Sequence, residues 1–418
     1  MTKDANSKVF YGYIIVAASL FTLIIMHGIF STYAVFFISL QNELSSGRAI
    51  ISGAQSLAFF LEGLFAIALG RLTDRFGPKW VMTSCGFILG LGYLLMSQVS
   101  NLWQLYLFYP VIVGIGVSSG NVSLLSTITR WFAGRRGLMT GIVKTGTGIG
   151  MFVMPLLASW LIVGYGWRKA YLVLGIVAAV GIVAAAQGLK RDPSQMGLQP
   201  YGMYTTNGIV SALTADIQLS FRDAMRTRQF WSVCIVYLVV CYTTQSIMVH
   251  IVAYAMDSGI TVTQASGILS SIGAISIAGR LIMGGAGDKF GNRLTLIICC
   301  IVLLVATSWL QLAKELWMLY VFAMLYGFAH GGFFAVMSPL VAELFGTISH
   351  GANFGMVIFL AGIGGTIGPA VTGLIFDVVH NYQLAFLILI LSTAGALILS
   401  SRQIIPIQIS GLPRKGSL

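Results

Sequence analysis

Apolar residues run through the chain in long uninterrupted stretches, and polar residues are gathered into the short intervals between them. A helix needs about twenty predominantly apolar residues to cross a ~30 Å hydrocarbon core. Twelve stretches reach roughly that length, at 11–39, 50–69, 80–99, 103–129, 138–164, 169–189, 230–256, 264–286, 294–312, 316–341, 352–376 and 383–401. The pattern predicts an all-α polytopic membrane protein with twelve transmembrane helices. The composition, 57% hydrophobic and 9% charged, excludes an ordinary soluble globule. No short basic segment and small-residue cleavage site frames the first stretch, so it is expected to remain as a span.

The polar intervals carry a repeat. GRLTDRFG at 70–77 returns as GGAGDKFG at 284–291, an offset of 214 residues in a chain of 418. Such an offset is the signature of an internal duplication, here six helices plus six in two pseudo-symmetric bundles. The expected units are an N-terminal bundle at 1–189, a linker at 190–229, a C-terminal bundle at 230–401 and a tail at 402–418. The linker, which includes Lys190, Arg191, Asp192, Pro193 and Pro200, is too short for a further domain. Ser220 to Arg228 reads as a short basic helix on the membrane surface, and the tail beyond Ser400 as disordered.

A net charge of +12 raises nucleic acid as a partner, and the placement of the charges removes it. With both termini on one side, that side holds 18 of the 24 Lys and Arg residues, the opposite intervals hold four (Arg48, Arg168, Lys169, Lys314), and two lie within stretches. This is the positive-inside distribution, which puts both termini in the cytoplasm and assigns the basic excess to anionic lipid headgroups.

Three charges sit inside apolar stretches. Arg280 lies eight residues before Asp288, Lys144 eight after Arg136, and Glu62 eight before Gly70. At the helical rise each is ~12 Å from the same membrane face. A charge at that depth costs several kcal/mol unless it is paired or faces water, so it marks either a site or a structural ion pair. Arg280 is the central functional candidate. For Lys144 and Glu62 two readings stand: a self-neutralising pair, or contact with substrate. Gly141, Gly146, Gly148 and Gly150 beside Lys144 permit close helix approach, and Pro155 a bend. The cysteines and histidines are scattered without ligand spacing, and no nucleophile or cofactor motif occurs, so no catalytic residue, metal or cofactor is expected.

At these residues the chain resembles the major facilitator superfamily over essentially its whole length, through GRLTDRFGPK and GGAGDKFGNR after the second and eighth stretches. WFAGRRGLMTGIVKTG at 131–146 is similar to the signature of the monocarboxylate transporters, and RWF and RRGL there are shared with the oxalate/formate antiporter-like branch. RDPSQMGLQPYG at 191–202 resembles the start of their linker. The resemblance implies the major facilitator fold and a carboxylate anchor at Arg280. It further implies a substrate site that includes Asn121, His330 and Tyr33. A carboxylate transporter reading adds Phe334 and Phe359 as apolar walls, and Lys144 as a candidate substrate contact. The resemblance also implies gating loops at Gly70, Asp74, Arg75 and Gly77 and at Gly284, Asp288, Lys289 and Gly291, with Asp74 beside the N-terminus of the third helix.

The implied function is a secondary transporter moving small, lactate- or pyruvate-like monocarboxylates by alternating access. The alternative is dicarboxylate exchange with Lys144 as the second cation. Ser276 and Ser31 replace the monocarboxylate family's helix-eight aspartate and helix-one lysine, and Ala361 replaces the antiporter's second cation. Proton symport and exchange therefore both stay open, with His330 and Glu62 as the proton candidates. The expected partners are a small carboxylate, protons if coupled, and the bilayer. The expected setting is a monomer in a bacterial inner membrane.

Overall fold

The computed structural model describes residues 10–46, 48–202, 218–260 and 262–404. Among them, twelve helices are long and apolar enough to cross a membrane. We number them span 1 (Tyr11–Phe37), 2 (Gly53–Phe76), 3 (Pro78–Met96), 4 (Leu102–Trp131), 5 (Arg136–Tyr165), 6 (Trp167–Gln187), 7 (Arg228–Val252), 8 (Gly267–Phe290), 9 (Asn292–Leu310), 10 (Leu316–Phe345), 11 (His350–Phe376) and 12 (Gln383–Arg402). The fold is all-α, and each predicted stretch corresponds to one of these helices. Span 4 starts as α-helix at Leu102–Tyr106 and passes through a π-helical segment, Leu107–Val113, around Pro110, whose missing N–H disrupts the regular α ladder.

The repeated motif is helical where a loop is expected. Helix continues unbroken to Phe76 and to Phe290, and the chain turns only at Gly77 (φ 84°) and Gly291 (φ 91°). A positive φ is open to glycine at little strain, and Pro78 then starts span 3 at a position where its missing N–H matters least. Asp74 and Asp288 thus sit on rigid helix ends. The expected surface helix at Ser220 to Arg228 is shorter: Ser220 caps Phe221–Ala224, and Thr227 then caps span 7, accepting from the Phe230 amide at 3.2 Å. The proposed disordered tail, from residue 405 on, lies outside the described residues, and helix runs to Gln403.

Within the first half, span 1 packs on span 5, 2 on 4, and 3 on 6; within the second, 7 packs on 11, 8 on 10, and 9 on 12. The halves meet where span 2 lies on span 11 and span 5 on span 8. Glycine makes both contacts possible. A Cβ on Gly137 would strike the Gly284 carbonyl and one on Gly141 the Arg280 carbonyl, while Gly351 and Gly355 stand in the same way against Gly70 and Ala66. The offset of 214 relates the two contacts residue by residue, 137 to 351, 141 to 355, 70 to 284 and 66 to 280. The duplication seen in the repeated motif therefore extends to the packing between the halves.

Candidate functional site

The 5–8 contact builds the site. Positions 141, 144 and 148 share one helical face, so the glycines that let span 8 approach also point Lys144 toward it. A Cβ on Gly148 would lie 3.0 Å from Arg280 Nη1, so glycine there keeps room for the guanidinium. On the other side of span 8, Gly331 of span 10 abuts the Ser276 carbonyl and the Arg280 amide. That approach brings His330 and Phe334 alongside. The His330 ring stands edge-on to Phe334 at 5.0 Å and parallel to Tyr326 at 5.8 Å. Tyr326 is itself anchored, donating to the Thr244 carbonyl at 2.6 Å.

Lys144 lies 5.1 Å over the Phe334 ring and donates to Asn121 Oδ1 at 2.7 Å. His27 of span 1 lies beside the same Asn121 side chain and within the fields of Lys144 and Arg280. Lys144 also lies within the fields of Arg280 and Glu62, and His330 within those of Arg280 and Lys144. Six spans thus contribute to one polar cluster: His27, Glu62, Asn121, Lys144, Arg280 and His330.

Arg280 is only 7% exposed, and its Nε and Nη1 have no hydrogen-bond partner. Two further buried nitrogens are unpartnered, His330 Nδ1 and His27 Nε2. Buried polar groups are normally satisfied, so several donors left open around one arginine point to a ligand or to water. Lys144 is equally buried and, among the described residues, forms no ion pair with Glu62 or any other carboxylate. Its bond is to a neutral amide, so the self-neutralising pair is not formed at contact distance.

Two expected residues stand apart. Tyr33 is fully buried inside the first half, its ring 4.2 Å from Tyr109 and its hydroxyl donating to the Ile51 carbonyl at 2.7 Å. Its ring packs on span 4 and its hydroxyl is committed to the backbone. Phe359 lies at the 2–11 contact, with Phe60 at 6.2 Å and Gly63 against its backbone, on the side of Glu62.

The residues expected to form gating loops are also arranged differently from that expectation. Asp74 does not serve span 3. It accepts from the Gly351 and Ala352 amides, both at 3.0 Å, and so caps span 11 in the other half. A carboxylate at a helix N-terminus satisfies orphan amides and the helix dipole together. Asp288 does the same for span 5 through the Gly137 (2.6 Å) and Leu138 (2.9 Å) amides. Arg75 and Lys289 take no part in these caps. Both are exposed and lie over the neighbouring Phe76 and Phe290 rings, at 5.2 and 5.3 Å. The cation on Asp74 is Arg130, at 2.7 Å, which also donates to the Ile348 carbonyl at 3.2 Å. Arg130 and Gly148 were not among the expected site residues. The RWF tripeptide was the signal available for Arg130.

The family model of the Major Facilitator Superfamily matches residues 19–284 and 233–405. The chain belongs to the Major Facilitator Superfamily. Monocarboxylate transporter 13 of Bos taurus is 26% identical over 392 residues, covering 93% of this chain and 87% of that protein. An uncharacterized MFS-type transporter, YhjX, of Escherichia coli K12 is 27% identical over 348 residues, 80% and 82% of the two chains. The solved Escherichia coli fucose:proton symporter FucP superposes with a TM-score of 0.69 at 16% identity, over 94% of this chain and 99% of that one. As a superfamily member with twelve apolar spans, this is an integral membrane protein, and these relatives are transporters.

Proposed function

We propose that the protein is a secondary active transporter of small organic monocarboxylates, with Arg280 as the anchor. The observation that carries this reading is the buried Arg280 guanidinium with two unpartnered nitrogens. A planar guanidinium matches a carboxylate bidentately, which an ammonium cannot do. Lys144 and Asn121 extend the polar wall, His27 and His330 offer hydrogen bonds to a hydroxyl or oxo group, and Phe334 covers the apolar side. The two six-helix halves rock about this site, a reading supported by the glycine contacts between the halves at the repeated-motif face, Gly137 on Gly284 and Gly351 on Gly70. The motif face is cytoplasmic on the positive-inside count, and the setting is a bacterial inner membrane. If a proton accompanies the anion, His330 and Glu62 are its candidate carriers. The relatives named as monocarboxylate transporters favour this reading over dicarboxylate exchange.

The test is uptake into proteoliposomes of labelled pyruvate, lactate, acetate and oxalate. Saturable flux of the monocarboxylates without chemical conversion is expected. Its absence for every carboxylate would remove the proposal.

A further inference from the structure

We propose that Glu62 sets the charge of the anion that the site accepts, as the internal counter-charge that leaves room for one negative charge and no more. The proposal rests on the carboxylate-transport reading above. Among the described residues, the charged side chains grouped at mid-membrane depth are Arg280 of span 8, Lys144 of span 5 and Glu62 of span 2. None of the three is in an ion pair with another. Lys144 bonds to the neutral Asn121 amide and lies over the neutral Phe334 ring. Arg280 holds two open nitrogens. The charges are therefore grouped but uncommitted, each able to respond to a guest.

With all three ionised and both imidazoles of the cluster neutral, the empty site carries a net charge of one positive unit. Uncompensated charge in a low-dielectric interior is destabilising by several kcal/mol, and the guest that cancels it binds best. A monoanion brings the sum to zero, a dianion overshoots to one negative unit, and a neutral analogue leaves the charge standing. Two cations alone would instead match a dianion. Glu62 on span 2 and Lys144 on span 5 belong to different inter-half contacts, the one on span 11 and the other on span 8. Glu62 thus acts through the field across the site, without touching Arg280. Its counterpart in the duplicated half, 214 residues on, is Ser276, so the counter-charge belongs to one half only.

The charge sum makes an unusual demand on variants. Glu62→Gln raises the empty site to two positive units and turns preference toward dianions. Lys144→Gln, which can still donate to Asn121, lowers it to zero and weakens monoanion binding. The double variant returns to one positive unit and regains the wild-type preference.

The experiment measures competition by acetamide, acetate and malonate against labelled pyruvate in proteoliposomes of the full chain, for wild type, Glu62→Gln, Lys144→Gln and the double variant. Wild type is expected to favour acetate over both others. Glu62→Gln should move the acetate-to-malonate ratio toward malonate by about tenfold, the change that about 1.4 kcal/mol produces, and the double variant should move it back. The wild-type series needs no variant to fold: malonate competing as well as acetate there overturns the proposal. So does a ratio indifferent to Glu62→Gln, or a double variant that stays with malonate. If wild type instead transports no carboxylate, the anchor reading falls and this proposal with it. If acetate binds in an Arg280-dependent way but the ratio ignores Glu62, only this proposal falls.

Discussion

The Asp74 carboxylate of span 2 meets the Arg130 guanidinium of span 4 at 2.7 Å while its oxygens hold the first amides of span 11. One side chain therefore joins two helices of its own half to a helix of the other. Its repeat partner, Asp288, joins span 8 to span 5 through the corresponding amide cap. Both links lie on the repeated-motif face, and both must break if the halves are to part there.

Asp74→Asn removes the charge while leaving an oxygen for one amide. Loss of a charge-assisted bond of this kind is worth about 1.5–3 kcal/mol, which shifts the balance between closed and open faces roughly tenfold or more. We expect turnover to change by that order while the substrate affinity of the closed state moves little. Single-turnover uptake and equilibrium binding on the same variant separate the two. A large loss of binding with unchanged turnover would assign Asp74 to the site and not to the gate.

Glycine substitutions should act on the same equilibrium without any change of charge. A Cβ at Gly351 would strike the Gly70 carbonyl, which belongs to a rigid helix and cannot step aside. Gly351→Ala and, by the repeat, Gly137→Ala are expected to populate the state open on this face. Spin labels on the ends of spans 2 and 10 should report longer distances in the variants than in wild type. An unchanged distance distribution would show that the backbone tolerates the methyl.

The number of spans, the duplication and the position of Arg280, Lys144 and Glu62 within apolar spans are legible in the sequence, because apolar length, an offset of 214 and charge at membrane depth are all local or periodic signals. What the signals lack is the partner. Asp74 reads as serving the helix next in sequence, whereas it serves one more than 270 residues away, since helices from opposite halves meet there. Glu62 and Lys144 sit at matching depth, yet depth says nothing of azimuth, and Asn121 takes the lysine. Tyr33 is misleading for a related reason: an aromatic on the expected face can turn inward once Ile51 offers a carbonyl. The motif reads as a loop because of its glycines, but those at 70 and 284 make helix contacts and only those at 77 and 291 turn the chain.

Arg280→Lys keeps the charge and discards the fork. A lysine ammonium cannot bind both carboxylate oxygens in one plane. It also leaves space where Nη1 now approaches Gly148. We expect folding and insertion to persist and carboxylate affinity to fall by tenfold or more, the consequence of losing one charge-assisted bond of about 1.5–3 kcal/mol. Binding titrations beside size-exclusion profiles check this. Near wild-type affinity in a well-folded variant removes Arg280 from the anchor position.

His330 provides the test of coupling. Its ring is held between Tyr326 and Phe334, with Nδ1 unpartnered and within the field of Arg280. An imidazole is the side chain whose ordinary titration falls within the physiological range. If His330 carries the transported proton, substrate and proton each raise the other's affinity by the same factor. The sign follows directly: apparent affinity for a monocarboxylate strengthens as pH falls from 8 to 5, over a range where the substrate itself stays largely ionised, since its carboxyl titrates near 4 like those of Asp and Glu. His330→Gln keeps a hydrogen-bonding side chain of similar reach and cannot take up the proton, so the trend should flatten while binding at pH 8 is retained. Two results would move the assignment. A wild-type affinity indifferent to pH removes the proton from the cycle, and a pH trend that survives in His330→Gln makes Glu62, the carboxyl of the cluster within the Lys144 field, the next candidate carrier.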